Sequence, residues 1–162
     1  MRVINEIIIH CADTPEGVYF DIDDITRWHT DPKKTKDGKY KYKGRVYEKK
    51  EYLPKEVQNR KGNGWSDIGY HYVVLLDGSI QIGRSLETIG AHCYGKNKHS
   101  IGVCVIGGAN NKDTRTDVQK KTMIGLLKGF KRVYTTATIH SHSDFSTKTC
   151  PSYDATKEYE DI

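Results

Sequence analysis

Residues 101–106 read Ile-Gly-Val-Cys-Val-Ile, a run without one polar side chain, closed by Gly107-Gly108. A short apolar run bounded by turn residues is a buried strand, and a buried strand needs a sheet covered by other elements. Residues 4–10 (Ile-Asn-Glu-Ile-Ile-Ile-His) form a short β-branched run, also read as a buried strand, broken by Thr14-Pro15-Glu16-Gly17. Helical signals are interleaved with these strands. From Asp21 to His29, Ile22, Ile25 and Trp28 recur at helical spacing, with acids leading where the helix dipole favours them. Thr116 followed by Gln119 fits a capping box, after which Met123, Leu126, Leu127, Phe130 and Val133 repeat at threes and fours. Gly69–Leu76 is strand-like, Asp77-Gly78 is a hairpin turn signal, and Ser79–Gly83 returns as its partner. Thr135–His142 resumes a β-branched pattern, and Pro151 opens a short C-terminal helix. The pattern predicts a mixed α/β fold, with a central mixed β-sheet of about five or six strands flanked by helices.

The length of 162 residues favours one domain, spanning 1–162, that needs no disulfide staples. No apolar run reaches the roughly 18 residues of a membrane span. The N-terminus, Met-Arg-Val-Ile-Asn-Glu, lacks a signal-peptide core. The expectation is therefore synthesis in the cytoplasm, with Cys11, Cys93, Cys104 and Cys150 as thiols. Charge is unevenly spread. Residues 31–63 hold twelve Lys or Arg and five Asp or Glu, a local balance of +7 in a chain whose net charge is +5. This basic stretch is a solvated loop or meets an anionic surface such as a cell envelope. No nucleic-acid motif accompanies it, so no specific nucleic acid is expected. Its Tyr40, Tyr42, Val46, Tyr47 and Tyr52 suggest a small hairpin, Lys39–Arg45 into Val46–Tyr52.

Chemistry enters through histidine and cysteine. His10 ends the first apolar run, and His142 and Cys150 lie close together near the C-terminus. Two imidazoles and one thiolate, with a fourth position open, are what a catalytic zinc requires. Spacing alone leaves alternatives. His140 and His142 would share one face of a strand, and His29, His71, His92 and His99 compete for the role.

Four segments in order narrow the choice. They are Ile8-Ile9-His10-Cys11; Gly64-Trp65-Ser66-Asp67-Ile68-Gly69-Tyr70-His71-Tyr72; Gly90-Ala91-His92 running to Ser100-Ile101-Gly102-Val103; and His142 to Asp154 with Lys148-Thr149-Cys150-Pro151-Ser152. Together they resemble the N-acetylmuramoyl-L-alanine amidases of the phage lysozyme type, relatives of the peptidoglycan recognition proteins. The resemblance spans nearly the whole chain except a basic insertion at about 30–63. It implies a mixed sheet flanked by helices and a Zn2+ cofactor on His10, His142 and Cys150, with His140 a neighbour. It further implies catalytic roles for Tyr70 and Lys148, and a place for His92 along the substrate groove.

The implied reaction is hydrolysis of the amide between N-acetylmuramic acid and L-alanine in peptidoglycan. Lys148 would stabilise the oxyanion, and Tyr70 would position or deprotonate the attacking water. Some branches of the family carry glutamate where Tyr70 falls, and a phenol is a weaker base than a carboxylate. A phage or prophage endolysin acting at the bacterial cell wall is the leading expectation. The alternatives are a recognition module that binds muropeptide without cutting it, and a cytosolic amidase that recycles wall fragments.

Overall fold

The computed structural model describes residues 2–162. Two compact units are present: the chain up to Asp21 together with Tyr70–Ile162, and Ile22–Gly69. The first unit holds a five-stranded mixed sheet. Its strands are β1 (Glu6–Cys11), β5 (Tyr72–Val74), β6 (Ile80–Ile82), β7 (Ser100–Val105) and β8 (Thr138–Ser141), numbered along the whole chain. Their order across the sheet is β6-β5-β7-β1-β8. The pairs β5·β7, β7·β1 and β1·β8 are parallel, and the β5·β6 hairpin alone runs antiparallel.

Alternation along the strands decides what each face carries. Ile7 and Ile9 of β1 share a face with Ile101, Val103 and Val105 of β7, and there they join the core with Met123, Leu127 and Phe130. These last three belong to α2 (Asp117–Val133). Burying each large side chain of this layer contributes about 1.5–3 kcal/mol. The other face carries Ile8 and His10, in register with Gly102 and Cys104.

The capping box at the start of α2 is formed: Gln119 N–H donates to Thr116 Oγ1 at 3.1 Å, and Thr116 N–H donates to Gln119 Oε1 at 2.9 Å. Gln119 is fully buried and also donates to Ile106 O at 3.0 Å, tying helix to sheet. The C-terminal helix, α3 (Ala155–Glu158), starts later than the sequence suggests. Asp154 caps it by accepting from Lys157 N–H at 3.0 Å, so the helix begins at its cap and not at Pro151.

The second unit contains α1 (Ile22–Thr30) and a three-stranded sheet, β2 (Lys33–Lys34), β3 (Tyr40–Tyr42) and β4 (Arg45–Tyr47). The β3–β4 hairpin turns at Lys43-Gly44, both at positive φ, two residues before the expected turn. Two successive positive φ angles make the tight turn that matches strand twist. Lys-Gly supplies them without the Asn-Gly signature that would have marked the place. No helix among the described residues is long and apolar enough to cross a membrane.

Candidate metal centre

His10 ends β1 on the sheet face away from α2 and is buried. His142 opens the turn His142–Phe145 directly after β8, the other strand flanking β1 on that side. The loop beyond returns to the same place: Ser143 N–H donates to Cys150 O at 2.8 Å, and Cys11 N–H donates to Cys150 Sγ at 3.2 Å. The ligand atoms of His10, His142 and Cys150 consequently lie within 4.8 Å of one another. His140 is outside this group. Its Nδ1 faces Asp144 Oδ2 at 3.3 Å and its Nε2 faces Thr138 Oγ1 at 2.8 Å.

The donor set and spacing fit zinc. Bonds of about 2.0–2.3 Å in a tetrahedron place ligand atoms roughly 3.5 Å apart. His10 Nδ1 is 3.8 Å from Cys150 Sγ. His10 Nε2 is 3.1 Å from His92 Nδ1. A histidine that offers Nδ1 to a metal carries its proton on Nε2, and a hydrogen-bond partner there fixes the ring. His10 then donates to His92 Nδ1, which leaves the His92 proton on Nε2, facing Ser100 Oγ at 3.3 Å. Ser100 in turn donates to Lys96 O at 2.9 Å. The chain of four groups has one consistent direction.

His92, expected along the substrate groove, is 9 % exposed and both its ring nitrogens face protein. Asn97 Oδ1 accepts from the N–H groups of His92 and Cys93 at 2.8 and 2.9 Å, which holds the loop. The Arg2 guanidinium clasps the same region through Leu86 O, Asn97 O and Ser100 O. Burial, with the charges of His71, His142 and the arginines Arg2 and Arg84, pulls His92 down to about 3. His71 is likewise brought down by burial to about 4 and accepts from Gly102 N–H at 3.0 Å. Both rings are neutral at physiological pH.

Gly102 is the position the sequence alone undervalues. A Cβ there would lie 2.5 Å from the His92 ring. Only glycine lets that imidazole lie against the strand, the close approach that a glycine inside a strand often marks. Gly102→Ala is expected to displace His92, and His92→Ala to leave His10 without its partner. If the cluster takes up zinc, each should weaken its affinity for the added ion about 10–100-fold, measured by competition against a chromophoric chelator.

Tyr70 is half-buried, its ring 5.0 Å from that of His10. Burial, then the nearby Cys104, Cys150 and Cys11, hold its phenol well above the usual range, so it stays a hydrogen-bond donor. Lys148 is exposed, two residues before Cys150. Burial and then the Lys148 charge lower the pKa of His142, which sets that ammonium in electrostatic reach of the cluster. Sequence reasoning passed over Cys11. Its hydrogen bond with Cys150 brings Cys11 down to about 6 and pushes Cys150 up, so the pair releases one proton easily and the second with difficulty. All four cysteines are free.

The N-acetylmuramoyl-L-alanine amidase family model matches residues 1–153. The chain belongs to this family. It is an amidase of peptidoglycan, and the endolysin of Klebsiella phage KP32 is 28 % identical to it over 160 residues, which cover 96 % of this chain and 85 % of that one. The endolysin of Escherichia phage T7 is 27 % identical over 158 residues, covering 95 % and 84 %. Among solved structures, the amidase LysC from Clostridium intestinale superposes with a TM-score of 0.66 at 21 % identity, covering 98 % of this chain and 83 % of that one. At that identity the likeness speaks for the fold, and it agrees with the mixed sheet and helices expected from the sequence.

Proposed function

We propose that this amidase is a zinc-dependent endolysin that hydrolyses the amide joining N-acetylmuramic acid to L-alanine. The observation that carries the reading is the convergence of His10, His142 and Cys150, whose ligand atoms lie within 4.8 Å of one another. The endolysin relatives support a role in lysis at the bacterial cell wall.

His10, His142 and Cys150 would hold the ion, leaving a fourth position for water or substrate. When bound, zinc supplies Lewis acidity, polarising a carbonyl and making hydroxide available near neutral pH. Cys150 would have to give up its proton to hold the ion, against the pull of the Cys11 side chain and its own burial, and the Cys11 N–H that points at its sulfur is the contact that favours the thiolate. His92 and Ser100 keep the His10 ring turned so that Nδ1 faces the cluster. Tyr70, protonated throughout the neutral range, positions the attacking water or the substrate carbonyl through its O–H and serves poorly as a base. Lys148 offers a cation to the oxyanion that forms as the amide carbonyl becomes tetrahedral.

Digestion of purified peptidoglycan with and without chelator, followed by mass analysis, tests the proposal. The expected products are free stem peptides starting at L-alanine, lost on chelation and restored by added zinc. Peptides still attached to a new reducing sugar would mean a glycosidase. Binding without any release would mean a recognition module.

A further inference from the structure

The basic stretch builds a defined cavity inside the unit Ile22–Gly69. Its volume is about 420 Å3, and its walls include Lys33, Lys34, Tyr40, Lys50, Arg60 and Lys61. The floor is stitched by backbone: Gly62 N–H donates to Pro32 O at 2.9 Å, Asn63 N–H to Trp28 O at 3.0 Å, and Gly64 N–H to Asp31 O at 2.9 Å. Gly62 is packed so closely that a Cβ would fall 2.7 Å from Trp28 O. Buried Leu53 and Val57 anchor the segment behind the wall. This is a half-open concavity of a size that small ligands occupy.

Its charge is not neutralised from within. Lys33, Lys34 and Lys61 pair with no carboxylate among the described residues. Lys50 Nζ donates to a neutral group, Asn59 Oδ1, at 2.9 Å. Arg60 reaches Asp31 only at 3.9 Å. Five residues that carry cations line one hollow, though Lys33 and Lys34, successive on β2, send their side chains to opposite faces, and the protein's own Glu48 is engaged with Lys39, which does not line the cavity. Clustered like charge of this kind is stabilised by an external anion. A single carboxylate offsets little of it, whereas a phosphate group offsets more and suits both ammonium point charges and a guanidinium fork. The hollow is also larger than a bare phosphate needs. Tyr40 lines the same wall, and Gln58 keeps its amide oxygen and Asn59 its amide N–H groups for hydroxyls, their other amide atoms being engaged with Leu53 O and Lys50.

We propose that this cavity is a binding site for a phosphorylated saccharide, of the kind borne by anionic cell-envelope polymers. It is a second site, independent of the metal centre, and would hold the enzyme on its substrate surface without taking part in hydrolysis.

Calorimetric titration of the full chain at low salt tests it, with glucose 6-phosphate as probe and glucose, inorganic phosphate and phosphatidylglycerol vesicles as comparison arms. The expected result is saturable one-to-one binding of glucose 6-phosphate, tighter than inorganic phosphate or the vesicles, with none for glucose. Chelator should leave it unchanged, which separates its failure from failure of the zinc reading. The double variant Lys33→Glu/Lys61→Glu should weaken it at least about tenfold, since reversing two charges at the wall costs more than the ~1.4 kcal/mol that factor represents. Lys121→Glu/Lys128→Glu, the same charge change on the exposed face of α2, should not. Equal weakening by both double variants would reduce the effect to net charge and overturn the site. So would equal or tighter binding of inorganic phosphate or the vesicles, or no saturable binding at all.

Discussion

Cys150→Ser is expected to strip the chain of the proposed zinc and to lower turnover by more than about a hundredfold, beyond the 10–100-fold typical of losing an outer hydrogen-bond partner. The substitution keeps size and removes the soft, ionisable ligand. Only His10 and His142 would then remain of the cluster. Cys11 is the nearest replacement thiol, hydrogen-bonded to Cys150 and with its Sγ 3.7 Å from Ser152 Oγ, so the double variant Cys11→Ser/Cys150→Ser removes the one adjacent thiol that could stand in. Cys104→Ser provides the matched control. Cys104 lies in register with His10 on β7, fully buried, with its thiol held well above the usual range by burial. It should keep its zinc, the readout on which the two variants are compared, since Cys104 contributes no ligand atom, while its hydrogen bond to Tyr70 ties it to the rate. Elemental analysis of the two purified variants, with hydrolysis rates on the same peptidoglycan, checks the contrast. Full zinc content in Cys150→Ser would remove this cysteine from the ligand set.

The reason this contrast can be stated for two cysteines is that the strands were readable and the cluster was not. Ile101–Ile106 and Ile7–Ile9 carry their own signal, because side chains buried on both faces leave no polar position. Thr116 and Gln119 marked the start of α2 through local chemistry, and the capping hydrogen bonds formed as expected. His10, His142 and Cys150 meet only because parallel pairing sets β8 beside β1 and a loop returns over its end. No spacing rule spans that distance, and the segments shared with a known family were needed to choose among seven histidines. The chain from His92 to Ser100 was less legible still. Its key is Gly102, which in a one-dimensional reading is one more small residue in an apolar run. The β3–β4 turn was displaced for a related reason: a Tyr-rich alternation constrains which residues share a face but fixes the turn weakly when Lys-Gly provides it.

Lys148→Ala separates catalysis from metal binding. Lys148 is exposed on the loop between two proposed ligands and contributes no ligand atom, so zinc content should be unchanged. Turnover should fall about 10²–10³-fold, the usual cost of removing one stabiliser of a developing oxyanion. The loss should appear in kcat with little change in KM, because the charge it meets exists only in the transition state. A second readout does not depend on turnover. The Lys148 ammonium helps to hold His142 below its ordinary pKa, by disfavouring a second positive charge nearby. Removing it should let the His142 pKa rise in the metal-free chain, visible in the proton-NMR titration of that ring. Lys148→Arg retains the cation and should keep His142 low while restoring part of the rate. If Lys148→Ala leaves kcat intact while the His142 pKa rises, the lysine tunes a ligand and the oxyanion must find its cation elsewhere.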